Sequence, residues 1–197
     1  MNSKRVGRGS TRSDEGRRRQ IGAAALDVIR KGGIGGLTHR AIAQEAAIPL
    51  GLTTYHFSSL DDILETAFDL AMEKDISQLT AWIEALDDGA DLPSEFTSLI
   101  MGLTTNDTDN VYLNFEMILA AVHRPFLQQK AHAWATYLSQ LLLPGMTADA
   151  ASAVAVVYDG TLLRQAVTGK IGDQSEVEAS FRRACGDECV WRRTNKV

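Results

Sequence analysis

The chain of 197 residues carries a formal charge of −5, but that charge is unevenly spread. Residues 1–60 hold ten Lys and Arg against four Asp and Glu, a balance of +6; residues 61–197 hold ten against 21, a balance of −11. A basic third on an acidic body points to a polyanion partner at one end, and no apolar run approaches the roughly 20 residues of a membrane helix, so a membrane partner is not expected.

Residues 1–13 are Ser, Gly, Arg and Lys with almost nothing apolar, and are expected as a disordered basic arm. No apolar stretch follows its arginines, which argues against a signal peptide. A helix is predicted over 14–31, where Ile21, Ala24, Ala25, Val28 and Ile29 make one stripe. Asp14 and Glu15 sit in its first turn, and Gly32-Gly33 closes it.

Thr38 is a good N-cap for a second helix, in which Ile42, Ala43 and Ala46 share a face. Ala47 and Ile48 make a turn, and Pro49 suits the start of a brief helix ending at His56. Two short helices joined by a tight turn read as a helix-turn-helix. Such a unit lays its second helix in the DNA major groove, while the first crosses the backbone. Leu50 and Leu52 suit thymine methyls or sugars, Thr54, Tyr55 and His56 can donate to phosphates, and Gly51 permits close approach.

This run, with Leu37-Thr38-x-Arg40-x-Ile42-Ala43, Ile48-Pro49-x-Gly51, Tyr55-His56-Phe57 and Asp61-Asp62-Ile63-Leu64, resembles the DNA-binding segment of the tetracycline-repressor (TetR) family of transcription regulators. The resemblance covers about residues 17–72. It implies DNA contacts by Thr38, His39, Arg40, Leu50, Gly51, Leu52, Thr54, Tyr55 and His56. It also implies a homodimer and repression relieved by a small-molecule effector.

A long helix is predicted from Ser59 to about Leu86, with Asp62 as capping-box acid. The body beyond reads as all helix. One segment runs from Pro93 to about Leu103, and a polar loop is expected over 104–109. Residues 111–123 are apolar on nearly all sides. Pro125 opens a helix that Pro144-Gly145 stops, Thr147 caps one closed by Gly169, and Asp173 with Glu176 opens the last. The expected fold is therefore all-α, of about nine helices. A basic arm (1–13) precedes a helix-turn-helix domain (14–58) and a helical ligand-binding and dimerisation domain (59–197).

Ala151, Val154, Ala155, Tyr158, Leu162 and Gln165 recur at three-to-four spacing and, with Val177 and Phe181, are expected to form half of a four-helix dimer interface. Phe96, Met101, Tyr112, Phe115, Met117, His123, Trp134, Tyr137, Tyr158 and Arg164, with Asn114 and Glu116, are the candidate lining of a ligand pocket.

No GxSxG, HExxH or phosphate-binding loop is present, so neither catalytic residues nor a cofactor are expected. Cys185 and Cys189 are spaced i, i+4, but no His or acid pattern completes a metal set; unpaired thiols near a ragged terminus are expected, in a reducing cytoplasm. The reading is a cytoplasmic regulator that binds a double-stranded operator as a homodimer. The alternative is a helical ligand-binding or interaction module with non-specific DNA affinity alone.

Overall fold

A computed structural model describes residues 8–170 and 172–192, with side chains from Asp14 onward. Among them are nine α-helices: α1 (Arg8–Gly32), α2 (His39–Glu45), α3 (Leu50–His56), α4 (Leu60–Ala85), α5 (Leu92–Asn106), α6 (Thr108–Ala120), α7 (Pro125–Leu142), α8 (Ala148–Thr168) and α9 (Gln174–Cys185). No strand occurs among the described residues. The chain divides into two compact units, Met1–Glu73 and Lys74–Val197.

The first unit shows why a short helical head needs an extra wall. Ile21, Ala25 and Ile29 of α1, Ile42 of α2 and Phe57 are buried, and Ile63, Leu64 and Phe68 of α4 are buried with them. Helix α1 runs close to α4. A Cβ on Gly22 would stand 2.8 Å from the Thr66 methyl and 3.0 Å from Leu70. Helix α1 begins at Arg8, ahead of the expected Asp14, so residues 8–13 of the expected arm are helical in backbone. Once a helix is nucleated, adding Ser, Thr and Arg costs little. Residues 1–7 of that arm lie outside the described residues. The start of α4 follows its sequence signal: the Asp62 amide donates to Ser59 Oγ (3.1 Å), and the Asp62 carboxylate accepts from the Ser58 amide (3.1 Å).

The second unit is centred on aromatic side chains. Phe96 of α5 stacks on Phe181 of α9 at 5.0 Å between centroids, with Trp82 at 4.7 Å and Tyr158 at 6.2 Å. Leu92, Ile100, Leu142, Ala151 and Val154 close around them. Thr147 caps α8 through the Ala150 amide, and Gly169 ends it in the left-handed region at φ 67°.

The polar loop expected over 104–109 is absent. Helix α5 continues to Asn106 and α6 starts at Thr108, with Asp107 between them. The hydroxyls of Thr104, Thr105 and Thr108 donate back to the carbonyls of Ile100, Met101 and Thr104 at 2.7–2.8 Å. Their polarity is thus spent inside the helices and demands no water.

The terminus expected to be ragged is tied down through Trp191. The Trp191 amide donates to the Ala90 carbonyl (2.8 Å), and the Gly89 and Leu92 amides donate to the Trp191 and Cys189 carbonyls (2.8 Å each). The Trp191 ring is buried over Gly145, where any Cβ would collide with it at 2.3 Å. Both thiols are free. Burial, with Cys189 beside it, pushes the Cys185 thiol up to about 12, which leaves it a poor nucleophile.

Candidate nucleic-acid interface and ligand cavity

The head is built so that α3 is fixed from behind and bare in front. Thr38 caps α2 by accepting from the Ala41 amide (3.1 Å). The turn passes through Ala47 at φ 52°, a left-handed residue that is not glycine. Gln20 Nε2 of α1 holds the turn at the Ala46 carbonyl (3.2 Å). Thr53, fully buried, donates to the Leu50 carbonyl (2.8 Å) and meets His39 Nδ1 at 3.1 Å, which sets the angle of α3 on α2. At the far end, His56 Nδ1 meets Asp14 Oδ1 at 2.7 Å. Arg18 hydrogen-bonds the His56 carbonyl and lies over the Phe57 ring at 4.0 Å.

With its back so occupied, α3 presents Leu50 (50 % exposed), Gly51, Thr54 and Tyr55 (80 % exposed) outward. Thr38 and Arg40 of the α2 segment are also exposed. These six form the outward set within the predicted DNA-contacting residues. Leu52 and His39 are half-buried, and His56 faces Asp14 of α1 with its side chain 10 % exposed. The surrounding cations are more engaged than the sequence shows. Arg19 pairs with Glu73 (2.9 Å), Lys31 with Glu45 (2.6 Å) and Arg30 with Asp27.

In the second unit a cavity of about 50 Å³ lies between α4, α5, α6, α7 and α8. Its apolar wall is Leu79, Leu103, Val111, Phe115, Ile118, Leu138 and Leu162, with Trp134 and Tyr158. Two carboxylates enter this wall. Asp75 of α4 accepts from Trp134 Nε1 at 2.7 Å and from Asn114 Nδ2 at 2.9 Å. Burial raises its pKa in spite of those two donors. Asp159 of α8 stands at the mouth with its outer side exposed. The protein wall on its inner side strips its water, and the Asp75 charge adds to this, so that its pKa is pushed up to about 6.

Residues 87–187 match the family described as Tetracyclin repressor-like, C-terminal domain. The multidrug binding protein EbrR, solved with imidazole, is 36 % identical; the alignment covers 91 % of this chain and 96 % of EbrR, at a TM-score of 0.77. The chain belongs to the TetR family of transcriptional regulators. A TetR family member from Streptomyces coelicolor A3 is also 36 % identical, over 85 % of this chain and 97 % of its own, with a TM-score of 0.74. The transcriptional regulator BetI of Burkholderia thailandensis is 28 % identical over 165 residues, 78 % of this chain and 83 % of BetI.

Within this TetR-family body the expected pocket residues part company. Phe115 and Trp134, with Tyr158 and Asn114, line the cavity. Phe96 and Met117 are instead fully buried core, and Tyr137 hydrogen-bonds Thr80 at 2.6 Å outside it. Met101 also lies outside the lining, while Tyr112, His123 and Arg164 are exposed. Aromatic and Met side chains at helical spacing mark any buried face, so spacing alone did not separate cavity from core. The two acids that distinguish the cavity, Asp75 and Asp159, were missed. Each sits inside an apolar stripe, Asp75 before Leu79 and Asp159 between Tyr158 and Leu162; an acid in such a position was the available signal.

The expected dimer surface is corrected. Ala151, Val154, Ala155, Tyr158, Leu162 and Gln165 are all buried within the single chain, as are Val177 and Phe181. They face α5 and the aromatic core, and cannot also face a second copy. Helix α8 carries another stripe on its opposite side: Asp149, Ala153, Val156, Gly160, Leu163 and Val167, spaced four, three, four, three, four. Val156 is 68 % and Val167 77 % exposed. That alternation of four and three is the spacing of an a/d seam.

Proposed function

We propose that this TetR-family chain is a repressor that binds a palindromic operator as a dimer, each protomer laying α3 in a major groove. The observation that carries the reading is the outward run from Leu50 to Tyr55 on a helix whose inner side is fixed by Thr53, His39 and His56. Leaving an aromatic ring 80 % exposed on a seven-residue helix has no packing rationale. Arg40 and Thr38 flank that run and suit phosphate contacts.

Two-fold symmetry supplies the second head. The seam on α8 through Val156, Gly160 and Val167 is the surface offered to a second copy. It lies beside a groove lined by Ser152, Ala153, Ser180, Arg183 and Ala184 of α8 and α9. Gly160 has nothing within 4 Å of where a Cβ would stand, so a partner helix can approach closely there.

The cavity is the proposed effector site, as EbrR is solved with imidazole and with ethidium. At about 50 Å³ it is smaller than the roughly 150 Å³ that a benzene-sized ligand occupies in an engineered cavity. A larger ligand therefore favours a body arrangement with the cavity opened, and that difference in affinity is what can shift operator binding. Helix α4 carries Asp75 into the cavity and begins at the Ser59 cap, so it is the proposed lever.

Selection of bound fragments from a random duplex pool tests the reading. A palindrome is expected, with half-site centres about 34 Å apart or a multiple of it. A pool that enriches no sequence, with binding that falls steeply with salt, favours the module with non-specific affinity alone.

A further inference from the structure

The hydrogen-bonding inventory of the cavity leans toward acceptors: the Asn110 amide nitrogen and the Tyr158 hydroxyl are donors in its lining, against two carboxylates and an unpaired amide oxygen. Both oxygens of Asp75 are engaged, by the indole of Trp134 and the amide of Asn114. Because Asn114 Nδ2 must donate to that carboxylate, its other atom, Oδ1, is fixed as an acceptor. Asn114 Oδ1 is fully buried and has no hydrogen-bond partner. Asp159 brings a further carboxylate to the same cavity. The space is thus edged by an orphaned carbonyl oxygen and two acids, with the rings of Trp134, Phe115 and Tyr158 as walls.

We propose that this cavity takes the charged head of an organic cation, an amidinium or protonated amine, held between Asp159, Asp75 and Asn114 Oδ1. Such a head supplies N–H donors where acceptors are in excess. It neutralises two like charges that burial sets against each other. The aromatic faces add cation–π attraction to the same ligand class. A neutral ligand of equal size can pair Asn114 Oδ1 through an N–H but leaves the two carboxylates without a counter-charge, and an acidic one brings a third negative charge.

In weak acid a proton stands in for the cation when the cavity holds none. Asp159 is pushed up to about 6, so it is protonated in weak acid and must release that proton before a cation can pair with it. The other charged or titratable groups around the pair are Lys74, which donates to Asn110 at 2.9 Å, Asp107 at the α5–α6 junction and Tyr158, held neutral by burial. Lys74 is thereby directed to an amide oxygen. Binding of the cation is expected to weaken on acidification, with proton release measurable in buffers of different ionisation enthalpy.

The inference rests on the cavity being the effector site, and the test separates the two. Benzamidinium and its neutral isostere benzamide are titrated into the full chain by calorimetry at pH 7.5 and pH 5. Benzamidinium, charged at both values, is expected to bind at least tenfold tighter than benzamide at pH 7.5. Its affinity should fall threefold to tenfold at pH 5. In Asp159→Asn the affinity should drop about tenfold and both the pH dependence and the proton release should shrink to what Asp75 contributes, with far-ultraviolet circular dichroism reporting that the helices remain. Equal affinity for benzamide, no binding of either probe, or binding at pH 5 without proton release overturns the proposal. Binding of benzamidinium as expected, with no change in affinity for the selected operator, supports the cation site and overturns the effector reading. Release of operator by benzamide alone does the reverse.

Discussion

The two units spend their polar residues in opposite directions. In the head, the buried polar atoms of Thr53 and His39 satisfy each other, and what is left over faces outward: Arg40 and the Tyr55 hydroxyl. In the body, the surplus is inward. Asp75 and Asn114 are turned into an apolar cavity with more acceptors than donors. A surface that reads a polyanion has no reason to hide its donors, whereas a site for a small ligand works through groups withdrawn from water. Function is legible from exposure in one unit and from unsatisfied burial in the other.

The same aromatic truncation should therefore have opposite consequences in the two. Phe96→Ala removes a fully buried ring stacked on Phe181, and should cost about 4 kcal/mol of stability in urea denaturation. Tyr55→Ala removes a ring 80 % exposed, and should change stability by less than about 0.5 kcal/mol while weakening operator binding. A Tyr55→Ala protein as unstable as Phe96→Ala would erase the contrast, since Tyr55 would then be core.

The proposed dimer seam sharpens the contrast within one helix. Val156→Asp places a charge on the outer stripe of α8 and should shift sedimentation to monomer, weakening association by more than about 2 kcal/mol, with the protomer still folded. Tyr158→Asp, two residues on, places it in the core beside Asp75 and should unfold the body instead. If Tyr158→Asp gives a folded monomer and Val156→Asp a normal dimer, the inner and outer faces have been exchanged.

That helix also shows where the sequence was legible and where it was not. Caps are local chemistry, so Thr38, Ser59, Thr147 and Gly169 marked their helix ends, and the short helices of the head followed from them. Helix α8 has two stripes at helical spacing, one buried by its own chain and one left outside. Spacing registers both alike, and burial alone tells which is which. Threonines at 104, 105 and 108 look like a loop until their hydroxyls find carbonyls one turn back. Asp75 and Asp159 were passed over because an acid on a helix is ordinarily on its wet side.

Asp159 gives the comparison a pH axis. Its pKa rises from an ordinary 3.8 to about 6 on folding, so the folded state holds its proton more tightly than the unfolded. The group is neutral to stability below about pH 4 and destabilising above about pH 6. Asp159→Asn should accordingly gain on the order of 1 kcal/mol over the unmodified chain at pH 7, allowing for the water on its outer side, and should gain nothing at pH 4. A gain of equal size at both values would trace to packing and not to charge.

The smallest effect expected lies in the head. Ala47 holds φ at 52°, where a Cβ is crowded against the backbone at a cost of roughly 1–2 kcal/mol. Glycine relieves that crowding but brings about 0.5–1 kcal/mol of extra unfolded-state entropy, so Ala47→Gly should raise the stability of the head by about 0.5 kcal/mol. The informative quantity is the direction of operator affinity beside it. The turn is pinned by Gln20 at the Ala46 carbonyl and by the Ile48 amide, which donates to the Ala43 carbonyl at 3.0 Å. If those bonds and Thr53 alone aim α3, glycine leaves affinity unchanged. If the alanine methyl also limits the turn, affinity falls while stability rises, and the head has exchanged some stability for the direction of its recognition helix. A loss of stability would show instead that the left-handed turn is not strained at Ala47.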